Sequence, residues 1–366
     1  MPVADFEVTI PETMRAAVYK GQGVVAVEQI PTPTIGPGDL LVRVEACGIC
    51  HTDLKKIEYN LLTPPRIYGH ETAGVVAAVG SRVTKYQPGD RVIVFHHIPC
   101  GACFYCSRKL YAQCPVYKKV GVTAGFEPAG GGFAQYVRVM DWIVERGVEI
   151  IPPGVPFEVA SFVEPVNTCV KAVRQCDPQP GDVVLVQGQG PIGLIFTMLL
   201  KLHGCTIVTT DTIDRRLELS RACGARYALD PRTVDVAGHL KDLTEGRGAD
   251  MVFVATNVPG LVEEAIRSTR PGAKIMLFAQ TSDKERIELS GASICVGERS
   301  LLGSYSASVD LQAESARLVF SGDLPVHLLV SHSVPLDKIE HAFRLATHPG
   351  DFLGEHPLKI IVRPQE

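Results

Sequence analysis

Apolar and polar positions follow two different rhythms, and the change between them divides the chain. From residue 14 to about 160 the apolar runs are short: Arg15-Ala-Ala-Val-Tyr19, Leu40-Leu-Val-Arg-Val44, Gly74-Val-Val-Ala-Ala-Val79 and Arg91-Val-Ile-Val-Phe95. Turn signals such as Gly36-Pro-Gly-Asp39 and Gln87-Pro-Gly-Asp90 separate them. Short β-branched runs bounded by Gly and Pro predict an irregular, strand-dominated half. From about residue 155 the period alternates between helix and strand. The pattern predicts a helix over 158–176, strands at 183–187 and 206–210 around a helix at 191–203, and a helix at 214–223. Strands at 250–255 and 274–279, with a helix between them, follow. Such alternation implies a parallel sheet with crossover helices, hence an α/β fold. After about 306 the order is helix, strand, helix, strand. The last strand, Leu358-Lys-Ile-Ile-Val362, is expected to return to the first half. The expected division is therefore 1–160, 161–306 and 307–366.

The chain has 366 residues, 46% hydrophobic and 21% charged, which suits two domains of roughly 150–200 residues. Its net charge of −4, without a long run of one sign, argues against a nucleic-acid footprint or an anionic-membrane patch. No stretch approaches the length of a membrane span. The start, MPVADFEVTIPETMRAAVYK, lacks the basic and apolar regions of a secretory signal. Eleven cysteines in such a chain are expected in a reducing cytoplasm, bound to metal or held as buried thiols. Cys47, Cys169, Cys176, Cys205, Cys223 and Cys295 are assigned to the buried group.

The remaining cysteines carry chemistry. Cys100, Cys103, Cys106 and Cys114 lie in a lobe at about 96–118, with two-residue gaps between the first three. Four soft thiolates without an open position read as a closed structural Zn²⁺ site, ahead of an oxidised pair or an iron–sulfur ligand set. Val183-Val-Leu-Val-Gln187 runs into Gly188-Gln-Gly190-Pro-Ile192-Gly193 and then a helical pattern that Gly204 should stop. Between a strand and a helix, these glycines mark a loop that lets a pyrophosphate approach the backbone. Asp211 ends the next strand, where a carboxylate accepts the ribose hydroxyls of NAD and repels a 2′-phosphate. Arg215 and Arg216 lie close by in sequence; either could flank the adenine ribose or meet a phosphate, and Arg216 is taken as the cofactor contact.

A second metal group is built differently. In Cys50-His51-Thr52-Asp53 and Gly69-His70-Glu71, Cys50 and His70 supply a thiolate and an imidazole, and Glu71, beside His70, and Glu164 are the carboxylates that could complete the set. Three protein ligands with one exchangeable position make a catalytic zinc site. Asp53 is a candidate to accept the second N–H of His70. Glu164 sits in the apolar run Ser161-Phe-Val-Glu-Pro165 and needs a partner, either a metal or a buried cation.

Taken together, these motifs resemble those of the zinc-dependent medium-chain dehydrogenases of the alcohol dehydrogenase superfamily. The resemblance rests on Cys50-His51-Thr52-Asp53, Gly69-His70-Glu71-x-x-Gly74-x5-Gly80-x2-Val83, the four-cysteine lobe and Gly188-x-Gly190-x-x-Gly193, and it spans nearly the whole chain. It implies a GroES-like, β-rich catalytic domain with a Rossmann doubly wound domain inserted, and an active site in the cleft between them. Glutamate at 164 makes the chain more similar to the sorbitol and polyol branch. There Cys50, His70 and Glu71 would be ligands, and Glu164 a ligand or the holder of a zinc-bound water. The resemblance further implies two zinc ions per chain, oxidation of a secondary alcohol by NAD⁺, and a homodimer or homotetramer paired through strands near 295–305. Thr52 resembles the hydroxyl that begins a proton relay, and His51 a pyrophosphate contact; a turn-forming threonine and an exposed histidine are the plainer alternatives.

Departures from the family bear on the substrate. Lys55 stands where the relay histidine would end, and Lys56 where the sorbitol enzymes carry a pocket tyrosine. Gly303-Ser-Tyr-Ser306 lacks the arginine that grips a polyol. Phe95, His96, His97 and Phe126-Glu127 are candidate cleft lips, with a solvated loop as the alternative for the histidine pair. The expected substrate is a small alcohol or ketone: a sugar, polyol, cyclitol or amino-alcohol derivative. An NADPH-linked aldehyde or enone reductase and a non-catalytic binding protein are the competing readings. Replacing Glu71 by Ala is expected to remove catalytic zinc while the fold survives.

Overall fold

The computed structural model describes residues 9–117, 130–279, 286–347 and 356–366. The chain forms two compact units, Met1–Pro165 with Ser308–Glu366, and Val166–Ala307.

In the first unit, a three-stranded antiparallel sheet (Val24–Pro31, Thr13–Gly21, Arg66–Ile67) accompanies a seven-stranded one. The larger sheet runs Val330–Pro335, Lys359–Arg363, Leu40–Gly48, Glu71–Val79, Arg91–Val94, Val148–Ile150, with Tyr136–Val139 also paired to Leu40–Gly48. Leu40–Gly48 lies at its centre, and Cys47 and Gly48 mark the crossing of three strands. On one side they pair with Thr72 and Glu71, and on the other with Val362 and Ile361. The C-terminal strand therefore does return to the first half. Gly48 is required there. A Cβ on it would lie 1.9 Å from Glu71 Oε2, so only glycine leaves the Glu71 side chain room beside the strand.

The second unit is a six-stranded, wholly parallel sheet. Its spatial order is Tyr227–Leu229, Thr206–Thr210, Val183–Gln187, Ala249–Val254, Thr269–Leu277, Ser300–Gly303. Counted within the unit this is 3-2-1-4-5-6, the doubly wound Rossmann order. The strands are apolar because helices cover both faces. Leu185, Val208, Val252 and Ile275 pack with Leu240 and Ala265 on one face. Phe196 lies 4.8 Å from Phe253 and 5.0 Å from Phe278 in another cluster. Strand order reverses between Val183–Gln187 and Ala249–Val254, which is where a nucleotide finds its crevice.

The single helix expected over 158–176 is two, Phe157–Ala160 and Val163–Cys176, interrupted at Ser161 and Phe162. Cys295 is exposed, in the short helix Gly291–Cys295 rather than in a strand, and Cys205 is only partly covered. Those two do not belong to the buried thiols, whereas Cys47, Cys169, Cys176 and Cys223 do. Ser300–Gly303 is an edge strand of the six-stranded sheet. No helix among the described residues is long and apolar enough to cross a membrane.

Candidate active site

Cys50 caps the helix His51–Glu58 in extended conformation (φ −110°, ψ 145°). Its sulfur accepts the Thr52 N–H at 3.5 Å, and Asp53 Oδ2 accepts the Cys50 N–H at 3.4 Å. This reciprocal cap fixes Cys50 and Asp53 relative to each other, with a thiol in place of the usual hydroxyl. The other Asp53 oxygen lies 3.1 Å from His70 Nδ1, so Asp53, itself fully buried, orients the His70 ring and leaves Nε2 as the nitrogen for a metal. Burial alone would lower the His70 pKa, but Asp53 and the Cys50 sulfur outweigh it and hold it well above 6.5. Burial likewise opposes charge on Asp53, yet His70, Lys56 and the Cys50 N–H bring its carboxyl below the usual value.

The donor atoms of Cys50, His70 and Glu71 all lie within 4.8 Å of one another. One thiolate, one imidazole and one carboxylate converging in this way fit a zinc ion with a position left open. Glu71 is also held from behind. The Lys359 ammonium lies 2.7 Å from each Glu71 oxygen and donates to the Ile49 carbonyl at 3.2 Å, with both side chains almost wholly buried. Burial would lower the Lys359 pKa, but Glu71 and the Cys50 sulfur raise it above 10.5. Nothing in the sequence pattern had singled out Lys359. The available signal was a cation opening the otherwise apolar strand Lys359-Ile-Ile-Val362.

Glu164 is not part of the three-atom group. It lies within the same unit, with Oε1 3.5 Å from His96 Nδ1. Burial raises its carboxyl to about 7, with His70 lowering it and Glu71 raising it in turn. His96 and His97 are not solvated loop residues: each is 5% exposed. The His96 ring lies 5.5 Å from that of His70 and 4.7 Å from that of His97, which in turn lies 5.2 Å from Tyr117. Thr52 is half-buried and His51 exposed. Phe126 and Glu127 lie outside the described residues.

The four-cysteine lobe closes tightly. Cys103 and Cys106 sulfurs are 3.5 Å apart, those of Cys100 and Cys106 3.9 Å, and Cys114 Sγ accepts the Cys100 N–H at 3.4 Å. Tetrahedral Zn–S bonds of about 2.3 Å place sulfurs about 3.8 Å apart. A disulfide requires about 2.05 Å, so the set fits an ion and not an oxidised pair.

The glycines of the dinucleotide loop divide their tasks. Gly188 adopts φ +88°, closed to most side chains. A Cβ on Gly193 would meet the Gly188 carbonyl oxygen at 1.8 Å, so this glycine lets the helix Pro191–Leu202 pack back on the strand. A Cβ on Gly190 would meet nothing within 4 Å, which leaves open space where a pyrophosphate would lie against the backbone. Ile192 is half-buried in the first turn. Asp211 is bound into the loop: Oδ2 accepts the Gln189 N–H at 2.7 Å and Oδ1 the Ile213 N–H at 3.0 Å. Each oxygen keeps a lone pair for a ribose hydroxyl. Arg216 stands 3.9 Å from Asp211, while Arg215 is exposed.

Residues 36–148 match the alcohol dehydrogenase GroES-like domain family, and residues 191–320 match the zinc-binding dehydrogenase family. The chain is 30% identical over 362 residues to the sorbitol dehydrogenase of Bacillus subtilis, covering 97% of this chain and 99% of that protein. It is 32% identical over 333 residues to the L-threonine 3-dehydrogenase of Pyrococcus horikoshii, covering 89% and 92%. Among solved structures, a protein of Sinorhizobium meliloti 1021 assigned as a zinc-binding dehydrogenase and bound to NADP superposes with a TM-score of 0.88 at 27% identity. The match covers 97% of this chain and all of that one.

Proposed function

The chain belongs to the zinc-dependent medium-chain dehydrogenases of the alcohol dehydrogenase superfamily, and from that premise we propose that it oxidises a secondary alcohol of a small polar molecule, reversibly, with NAD⁺ as the preferred acceptor. The convergence of Cys50, His70 and Glu71 on one point carries the reading. A zinc ion bound there supplies Lewis acidity that lowers the pKa of a substrate hydroxyl. The protein's own groups do the rest. Asp53 keeps the His70 ring in one orientation, and Lys359, 2.7 Å from both Glu71 oxygens, keeps that carboxylate in place. Thr52, beside Cys50 on the helix, offers a hydroxyl to the reacting oxygen. Glu164, with a carboxyl near neutrality, is suited to receive the proton or to hold water. The four-cysteine lobe would hold a second, structural zinc. The Gly188–Gly193 loop would bind the dinucleotide, whose oxidised ring takes the hydride. Self-association through the edge strand Ser300–Gly303 and a cytoplasmic location complete the reading.

The test is cofactor reduction across polyols, free sugars, inositols, sugar acids and amino alcohols, with NAD⁺ and NADP⁺ in parallel. Turnover of at least one secondary alcohol is expected, faster with NAD⁺. Turnover of aldehydes or enones alone, with NADPH, would replace this reading with the reductase. Asp211→Asn should reduce the NAD⁺/NADP⁺ preference by about tenfold, the equivalent of roughly 1.4 kcal/mol. An unaltered ratio would remove Asp211 from discrimination.

A further inference from the structure

We propose that the half-buried ammonium of Lys56 anchors an anionic group on the substrate, so that the preferred substrate is a secondary alcohol carrying a carboxylate or phosphate ester rather than a neutral polyol. The inference rests on the secondary-alcohol reading and narrows it. The helix His51–Glu58 turns Asp53, Leu54 and Ile57 inward. Thr52 and Lys56, four residues apart, share a partly exposed face, with Cβ atoms about 5–6 Å from each other. Lys56 thus stands one helical turn from the hydroxyl beside Cys50, a distance that a chain of a few carbon atoms spans.

Lys56 is not consumed by the fold. Among the described residues its ammonium has no hydrogen-bond or ion-pair partner. The ammonium lies over the face of Tyr68, with the ring centre 5.9 Å away. Tyr68 is 2% exposed, and its hydroxyl has no hydrogen-bond partner among the described residues. The ammonium therefore has an aromatic floor that cannot hydrate it, which strengthens its attraction for an anion. Asp53 feels its charge but already serves His70 and the Cys50 N–H. The surroundings are cationic as well, with Lys55 adjacent in sequence and Arg66 acting on Tyr68 electrostatically. Glu58 is exposed at the far end of the helix. A neutral polyol would offer the Lys56 ammonium only hydroxyl dipoles, whereas an anion would add charge pairing to the hydrogen bonds. The anionic group takes no part in the oxidation: carbinol and NAD⁺ become carbonyl, NADH and a proton.

The experiment compares aldonates and sugar phosphates of four to six carbons with polyols of the same length, using the full-length zinc-loaded enzyme and its Lys56→Met and Lys56→Arg variants at two ionic strengths. The wild type is expected to favour an anionic member, and the carboxylate and phosphate arms identify which. Lys56→Met should cut the anion-to-neutral preference in kcat/KM about ten- to a hundredfold, mainly through KM, and Lys56→Arg should restore most of it. The anion's KM should rise with salt. Wild-type preference for neutral alcohols, or an equal loss for both classes in Lys56→Met, overturns the anion site and leaves the secondary-alcohol reading standing. Absence of turnover with every alcohol overturns both.

Discussion

Lys359→Met should destabilise the protein by about 3–5 kcal/mol, the cost of leaving a buried carboxylate without its partner. Glu71 is 1% exposed, and both of its oxygens are 2.7 Å from the Lys359 ammonium. Gly48 opposite provides the space for the carboxylate but has no side chain that could stand in for the lysine. Thermal denaturation of the metal-free protein should show a midpoint lower on the order of 10 °C. The double variant Lys359→Met/Glu71→Gln should recover most of the loss, because the uncompensated charge is gone. An unchanged midpoint in the single variant would mean that the pair contributes nothing. The same geometry corrects the sequence-based expectation for Glu71→Ala. That substitution removes a metal donor and also strands a buried ammonium, so loss of zinc and loss of stability should come together.

Cys103→Ser should remove one zinc per chain and unfold the lobe around residues 100–114. The lobe is short, its turns rest on Gly101 at φ +75° and Lys109 at φ +58°, and Phe104 and Leu110 are exposed. It has little apolar core of its own, so a bound metal would supply its folding free energy; zinc-finger peptides gain about 10–16 kcal/mol in this way. Limited proteolysis should cut the variant near these residues while the wild type resists. Equal resistance, with zinc content unchanged, would contradict a structural metal.

The motifs legible in the sequence are local ones. Two-residue cysteine gaps, a glycine loop between strand and helix, and the adjacent pair His70-Glu71 declare themselves because their geometry is set by neighbours along the chain. Asp53 was readable for the same reason, being three residues from Cys50 in a helix cap. Lys359 was not, since it meets Glu71 across 288 residues of sequence, through a strand register that only the folded sheet defines. His96 and His97 read as cleft lips or as a solvated loop, and the sequence left the two open. Their burial against Phe95 and Tyr117 depends on packing that composition does not reveal. Gly48 carried no motif at all, and its necessity appears only when the Glu71 side chain is seen lying across it. The break at Ser161–Phe162 was hidden because both flanking segments share the helical period.

The role of Cys50 in a catalytic zinc site is decided by measuring metal content and turnover together on the wild type and on Cys50→Ala. Two zinc ions per chain are expected in the wild type and one in the variant. Secondary-alcohol oxidation should fall by about a thousandfold or more, the rate equivalent of roughly 4 kcal/mol of lost Lewis-acid stabilisation. Two zinc ions retained in Cys50→Ala, or turnover within a few fold of the wild type, would contradict that role.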